Sequence, residues 1–107
     1  YEGMGPLLAR GLPFTAIFAF SDDMAAGAIA RLNDGGLRVP EDVSVIGFDD
    51  LDVAPFIQPA LSTVRQPAQR LGEEAMRLLL HRMTSEGGSY SHLLLPPELI
   101  VRESCGT

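Results

Sequence analysis

The spacing of apolar positions changes period along the chain, and each change marks an element. Residues 14–20, "FTAIFAF", form an unbroken apolar, β-branched and aromatic run between Pro13 and Ser21-Asp22-Asp23, the pattern of a strand covered on both faces. Directly afterwards Met24, Ala28, Ile29 and Leu32 recur at helical spacing. Ser21 or Asp22 supplies the N-cap of that helix, acids occupy its first turn, and Gly35-Gly36 stop it. "VPED" is a turn, "VSVIGF" at 43–48 a second buried strand, and "DDLDVAPFIQPA" a loop with one short helical turn. "LSTV" at 61–64 is a short third strand. "PAQRLGEEAMRLLLHRMTSEGG" then reads as a long amphipathic helix with Leu71, Ala75, Leu78, Leu79 and Met83 on its core side, ending at Gly87-Gly88. "SHLLLPPELIVRES" gives two extended pieces broken by Pro96-Pro97. At the start, Tyr1, Met4, Leu7 and Leu8 are spaced as on a helix, with Pro6 in its first turn.

Strands alternating with helices at these lengths predict an α/β fold of three layers, a mostly parallel sheet with helices on both faces. In such sheets ligands bind beyond the carboxyl ends of the strands. The first strand runs into Ser21-Asp22-Asp23, the second into Phe48-Asp49-Asp50, and the third into Arg65-Gln66, so all three deliver polar groups to one edge. Carboxylates, a hydroxyl, an amide and an aromatic ring suit a small polyhydroxylated ligand: acids and amides hydrogen-bond hydroxyls in pairs while the ring covers an apolar face.

Each candidate has a plainer reading. Asp22 is a helix-start residue favoured by the helix dipole as well as a ligand contact. Phe48 serves equally in a core. Gln66, extended because Pro67 follows it, points from a strand end or merely fills it. Asp50 and Asp52 read as solvated loop residues, whereas Asp49 comes first past the buried strand. His81 and His92 read as surface residues.

Composition narrows the classes. The chain has 107 residues, the size of one small domain, and carries a net charge of −6 with eight basic residues, all of them arginine. Without a positive patch it is not a nucleic-acid binder by itself. No apolar run approaches the ~20 residues of a membrane span, and nothing reads as a signal peptide, so a cytoplasmic location is the default expectation. One cysteine, Cys105, excludes a disulfide framework and, with two scattered histidines, gives no metal site. No cofactor is called for.

Enzyme chemistry finds little support. "FDDLDVA" superficially resembles the strand-end D-x-D of dehalogenase-type phosphatases, with Asp50 as nucleophile and Asp52 as acid, but the following Thr or Gly is missing and the chain has no lysine to hold a phosphate. A calcium loop lacks its third ligand, turn glycine and final Glu. No G-x-S-x-G or phosphate-cradling glycine loop occurs. A binding module is the leading class.

Taken together, "PFTAIFAFSDDMAAGAIARLNDGGLRVPEDVSVIGFDD", "PALSTVRQP", "LGEEAMRLLL" and "LLLPPELIVRES" resemble the C-terminal part of the LacI/GalR family of bacterial transcription regulators, in order and over nearly the whole chain. The resemblance implies a periplasmic-binding-protein-like C-terminal lobe, incomplete here, spanning 1–107 as part of an effector-binding and dimerisation domain. It implies that the first lobe and the helix-turn-helix headpiece lie outside this chain, so operator DNA would be met only through that headpiece. It implies no catalysis, a small effector such as a sugar or a nucleobase-like compound, a homodimer and no membrane association. The family's effector contacts would fall on Ser21, where the family usually has Asn, on Asp49 of "GFDD" and on Gln66 of "TVRQP". Phe48 stands where many members have Tyr, and Asp22 matches the family's helix-start Asp. Ala26, Phe56 and Ile57 would lie in the dimer interface. A periplasmic sugar-binding protein of the same fold is the alternative within this architecture, and a phosphatase-like hydrolase the alternative outside it.

Overall fold

A computed structural model describes residues 1–11, 13–85 and 90–106. They form two compact units, one made of Tyr1–Arg65 with Glu98–Thr107, the other of Gln66–Pro97. The expected helix stop at Gly87-Gly88 lies outside the described residues.

The larger unit begins with helix α1, Met4–Ala9, which carries Pro6 in its first turn, where a missing N–H costs no helical bond. Strand β1 is Ala16–Phe18, shorter than the apolar run predicted. Helix α2, Asp22–Asp34, starts where the period changes, and Ser21 rather than Asp22 is its N-cap: the Ser21 hydroxyl accepts from the Met24 N–H at 3.3 Å. Strand β2, Ser44–Asp49, is followed by a short 3-10 turn at Ala54–Phe56, then by β3, Ser62–Arg65, and β4, Glu98–Ile100.

The sheet order is β1-β2-β3-β4, with the first three strands parallel and β4 antiparallel to β3. The mostly parallel sheet is therefore as predicted, closed on one side by a strand only half foreseen: of the two extended pieces expected after Ser91, residues 98–100 pair into the sheet. β1 is an edge strand, and it is not covered on both faces as expected: Ala16 and Phe18 are exposed, Phe18 by 68%.

The core lies between α2 and the sheet. Ala25, Ala28, Ile29 and Leu32 of α2 meet Val45 and Leu61, with Val39, Val43, Ala54, Ala19 and Met4 completing the cluster. Leu32, Leu61 and Val45 have no exposed surface, and each contributes roughly 1.5–3 kcal/mol by burial. Met24 shares the helical spacing but is 58% exposed, because the inward face of α2 is the one that carries Asp22, Ala25, Ile29 and Leu32 and Met24 lies on its flank.

The tail closes the unit from the other end. Ser104, fully buried, donates its hydroxyl to the Val45 carbonyl at 2.6 Å and accepts the Ser62 N–H at 2.8 Å, while its carbonyl accepts the Val45 N–H at 2.7 Å. It joins β2 to β3 near their starts.

The smaller unit is helix α3, Ala68–Thr84, and an extended tail. None of its helical residues is buried, and Leu71, Leu79 and Met83, expected in a core, are exposed. No helix among the described residues is long and apolar enough to cross a membrane.

Candidate functional site

Parallel pairing sets the carboxyl edge of the sheet. Phe18 lies abreast of Ile46, Phe48 abreast of Val64, and Asp49 abreast of Arg65, so the ends of β2 and β3 finish level. Past β1 the chain reaches Ser21, whose oxygen caps α2 while its hydroxyl proton stays available to an outside acceptor. Asp49 ends β2 and is exposed. Gln66 follows β3 directly and opens the second unit. Phe48 is half-buried and meets Phe18 edge to face, with centroids 6.4 Å apart at 74°.

The backbone at this edge is unusual. Asp49 has φ 104° and Asp50 φ 56°, both in the left-handed region that favours glycine. A non-glycine residue there costs of order 1–3 kcal/mol and persists only where its surroundings dictate it. Here they do so through three elements.

Asp22, the first residue of α2, is one of those surroundings. Its carboxylate is fully buried, accepting the Thr63 hydroxyl at 2.5 Å on one oxygen and the Leu51 N–H at 2.7 Å on the other. Of the two cap candidates Ser21 is the cap, Asp22 is the first residue of the helix as read, and its carboxylate faces inward, engaged by the protein itself. Thr63 in turn accepts the Asp50 N–H at 3.3 Å. Gly47 makes room for this, since a Cβ there would overlap Asp22 Oδ1.

Asp50 fixes the loop from the other side. It was expected to be a solvated loop residue, yet its side chain is only 7% exposed. One carboxylate oxygen takes Arg65 Nε at 2.6 Å and the other Arg102 Nη2 at 2.8 Å, while Arg102 Nη1 donates to the Leu61 carbonyl. Burial pushes the Asp50 carboxyl up, but the hydrogen bonds from Arg102 and Arg65 outweigh it and hold the group below the usual carboxylate range. A carboxylate held by two arginines is a poor nucleophile, which removes the main support of the phosphatase reading. Asp52 remains exposed.

The edge therefore carries Ser21 at the start of α2 and Phe48 and Asp49 at the end of β2, and the loop after Asp49 is braced by Asp22, Asp50, Thr63, Arg65 and Arg102. Thr63 and Arg102 carried no sequence signal, because their partners lie 41 and 52 residues away. A cavity of about 400 Å³ lies beside β1, lined by Tyr1, Met4, Phe18, Phe20, Met24 and Ala28 among others; none of the five candidate contact residues lines it. Phe20, 84% exposed immediately before Ser21, is an aromatic group at this edge that strand-end reasoning passed over. Among the interface candidates, Phe56 is 79% exposed, Ala26 is half-buried, and Ile57 packs partly against the core. His81 and His92 are exposed. Among the described residues no three His, Cys, Asp or Glu side chains group as metal ligands would.

Comparison with known proteins gives this geometry a setting. The model of the periplasmic binding protein-like domain matches residues 3–105. The HTH-type transcriptional repressor PurR of Haemophilus influenzae is 47% identical over 107 residues, covering 97% of this chain and 32% of its own length. The structure of a transcriptional regulator CelR–cellobiose complex superposes with a TM-score of 0.89 at 43% identity, over 96% of this chain and 32% of that one. The lac repressor dimer bound to operator and the anti-inducer ONPF gives 0.89 at 30% identity, over 98% and 36%. The chain spans about a third of the length of the curated relatives it matches, and those relatives are transcriptional regulators.

Proposed function

The chain belongs to the periplasmic binding protein-like family in the form carried by LacI-type transcriptional regulators, and from that premise we propose that residues 1–107 are the C-terminal lobe of an effector-binding and dimerisation domain. In this reading the carboxyl edge is one wall of an effector site, and the effector is a sugar. Asp49, exposed and held in left-handed backbone where β2 ends, is the observation that carries it. Its carboxylate would accept paired hydroxyls, Ser21 would donate to a ring or hydroxyl oxygen, and Phe48 would offer an aromatic face. A structural relative holding cellobiose supports the sugar class. Asp22 in this reading braces the wall and does not touch the effector.

Effector binding would favour one arrangement of the whole regulator and so bias operator binding by its helix-turn-helix, a shift of populations with no reaction. Self-association would use Ala26, Ile57 and the exposed Phe56, consistent with the dimeric lac repressor relative.

The test is calorimetry on the full-length regulator with cellobiose and a panel of mono- and disaccharides. Asp49→Ala should weaken binding of the responding sugar at least tenfold, since a hydrogen bond to a charged group contributes ~1.5–3 kcal/mol. A sugar that binds wild type and Asp49→Ala equally removes Asp49 from the site.

A further inference from the structure

The brace behind Asp49 converges on one uncharged side chain. Thr63 is fully buried in β3 and uses its hydroxyl twice, donating to Asp22 Oδ1 at 2.5 Å and accepting from the Asp50 N–H at 3.3 Å. The same Asp22 carboxylate accepts the Leu51 N–H at 2.7 Å. Two consecutive amides just past Asp49 are thus tied, one directly and one through Asp22, to a single threonine on the neighbouring strand. Those ties act where the backbone leaves ordinary territory, at φ 104° and 56°.

We propose that Thr63 is a positioning residue for the effector wall: its hydroxyl, acting through Asp22 and the Asp50 amide, holds Asp49 in the left-handed backbone that presents its carboxylate. This rests on the reading of Asp49 as the effector contact. A side chain kept in its binding geometry before the ligand arrives loses less freedom on binding, so Thr63 raises affinity without touching the effector. Valine has nearly the same shape, occupies the same space and offers neither the donor nor the acceptor. Serine keeps both.

Two readouts on the full protein separate this from a purely structural role. In NMR spectra, Thr63→Val should change the HN–Hα couplings of Asp49 and Asp50, which report φ, and raise hydrogen exchange of the Asp50 and Leu51 amides about tenfold or more; Thr63→Ser should leave them as in wild type. In calorimetry with cellobiose or whichever sugar responds, Thr63→Val should weaken binding about fivefold or more, Thr63→Ser should restore it, and Thr63→Val with Asp49→Ala should bind no more weakly than Asp49→Ala alone. If Thr63→Val does not fold because it strands the Asp22 charge, Asp22→Asn in the same background removes that charge, and the couplings are read there. Unchanged couplings and exchange at 49–51 overturn the proposal whatever the ligand does. Additive losses in the double variant overturn it as well, whereas an Asp49→Ala variant that binds normally defeats the effector reading and leaves the coupling test to decide the role of Thr63.

Discussion

Gly47→Ala is the substitution for which the structure and the sequence give opposite signs. Glycine inside a strand is ordinarily unfavourable by roughly 0.5–1 kcal/mol relative to alanine, so from sequence the change should stabilise. In β2, an added Cβ would overlap Asp22 Oδ1 and lie 3.0 Å from Leu61 Cδ2 and 3.2 Å from the Asp22 Cα. Neither neighbour can yield cheaply: both residues are fully buried, and the Asp22 carboxylate is held by Thr63 and the Leu51 amide. Overpacking of this kind costs about 1–3 kcal/mol, and weakening a hydrogen bond to a buried carboxylate adds to it. The expected loss is about 2–4 kcal/mol, a large part of the 5–15 kcal/mol that typically holds a domain together, and at ~4–8 °C per kcal/mol the Tm should fall by about 8 °C or more. Urea unfolding followed by circular dichroism measures it, with Gly72→Ala as the control. Gly72 lies in α3 with nothing within 4 Å of an added Cβ, so alanine there should gain up to about 1 kcal/mol. A Gly47→Ala midpoint equal to or above wild type would refute the close approach of α2 to β2.

Asp50→Asn strips two arginines of their partner, one of them, Arg102, only 17% exposed, and should cost about 1.5–3 kcal/mol at pH 7 after discounting the half-exposed Arg65. Because the folded-state Asp50 carboxyl is held below its usual value, its contribution is present above the unfolded value near ~3.9 and is lost as pH falls through the folded one, so the gap between wild type and variant should close in acid; a gap in urea midpoints that is the same at pH 7 and pH 3 contradicts the ion-pair account. Ser104→Ala leaves the Ser62 N–H without its acceptor and should destabilise by about 1–3 kcal/mol; a melting temperature within a degree of wild type would show the tail bridge to be dispensable. Phe56→Ser should shift the sedimentation distribution of the full-length protein toward monomer with little change in Tm, and an unaltered distribution takes Phe56 out of the interface.

What the sequence disclosed and what it withheld divide along sequence distance. Alternation of period placed β2 and α2 within a residue or two of their bounds, because a buried strand and the face of a helix are written in neighbouring residues. The same local signals placed Ser21 and Asp49 near the carboxyl edge by counting along the chain, although Asp49 proves to be the last residue of β2 and not the first past it, and β1 ends before Ser21, at Phe18. Roles set by distant partners stayed hidden. Asp50 looks like loop polarity until Arg65 and Arg102, 15 and 52 residues on, fold onto it. Asp22 looks like a cap or a ligand group until Thr63 and Leu51 meet its carboxylate. Gly47 looks like a flaw in a strand until that carboxylate needs its space. These residues share a logic: aspartate in left-handed backbone is affordable only with an external brace, and a brace that spans α2, β3 and the segment after β4 cannot be read from any one of them. The "GFDD" tetrad therefore holds one exposed carboxylate, Asp49, which we propose meets the effector, and one anchoring carboxylate, Asp50, with Gly47 admitting a third from α2 that ties the loop down from behind.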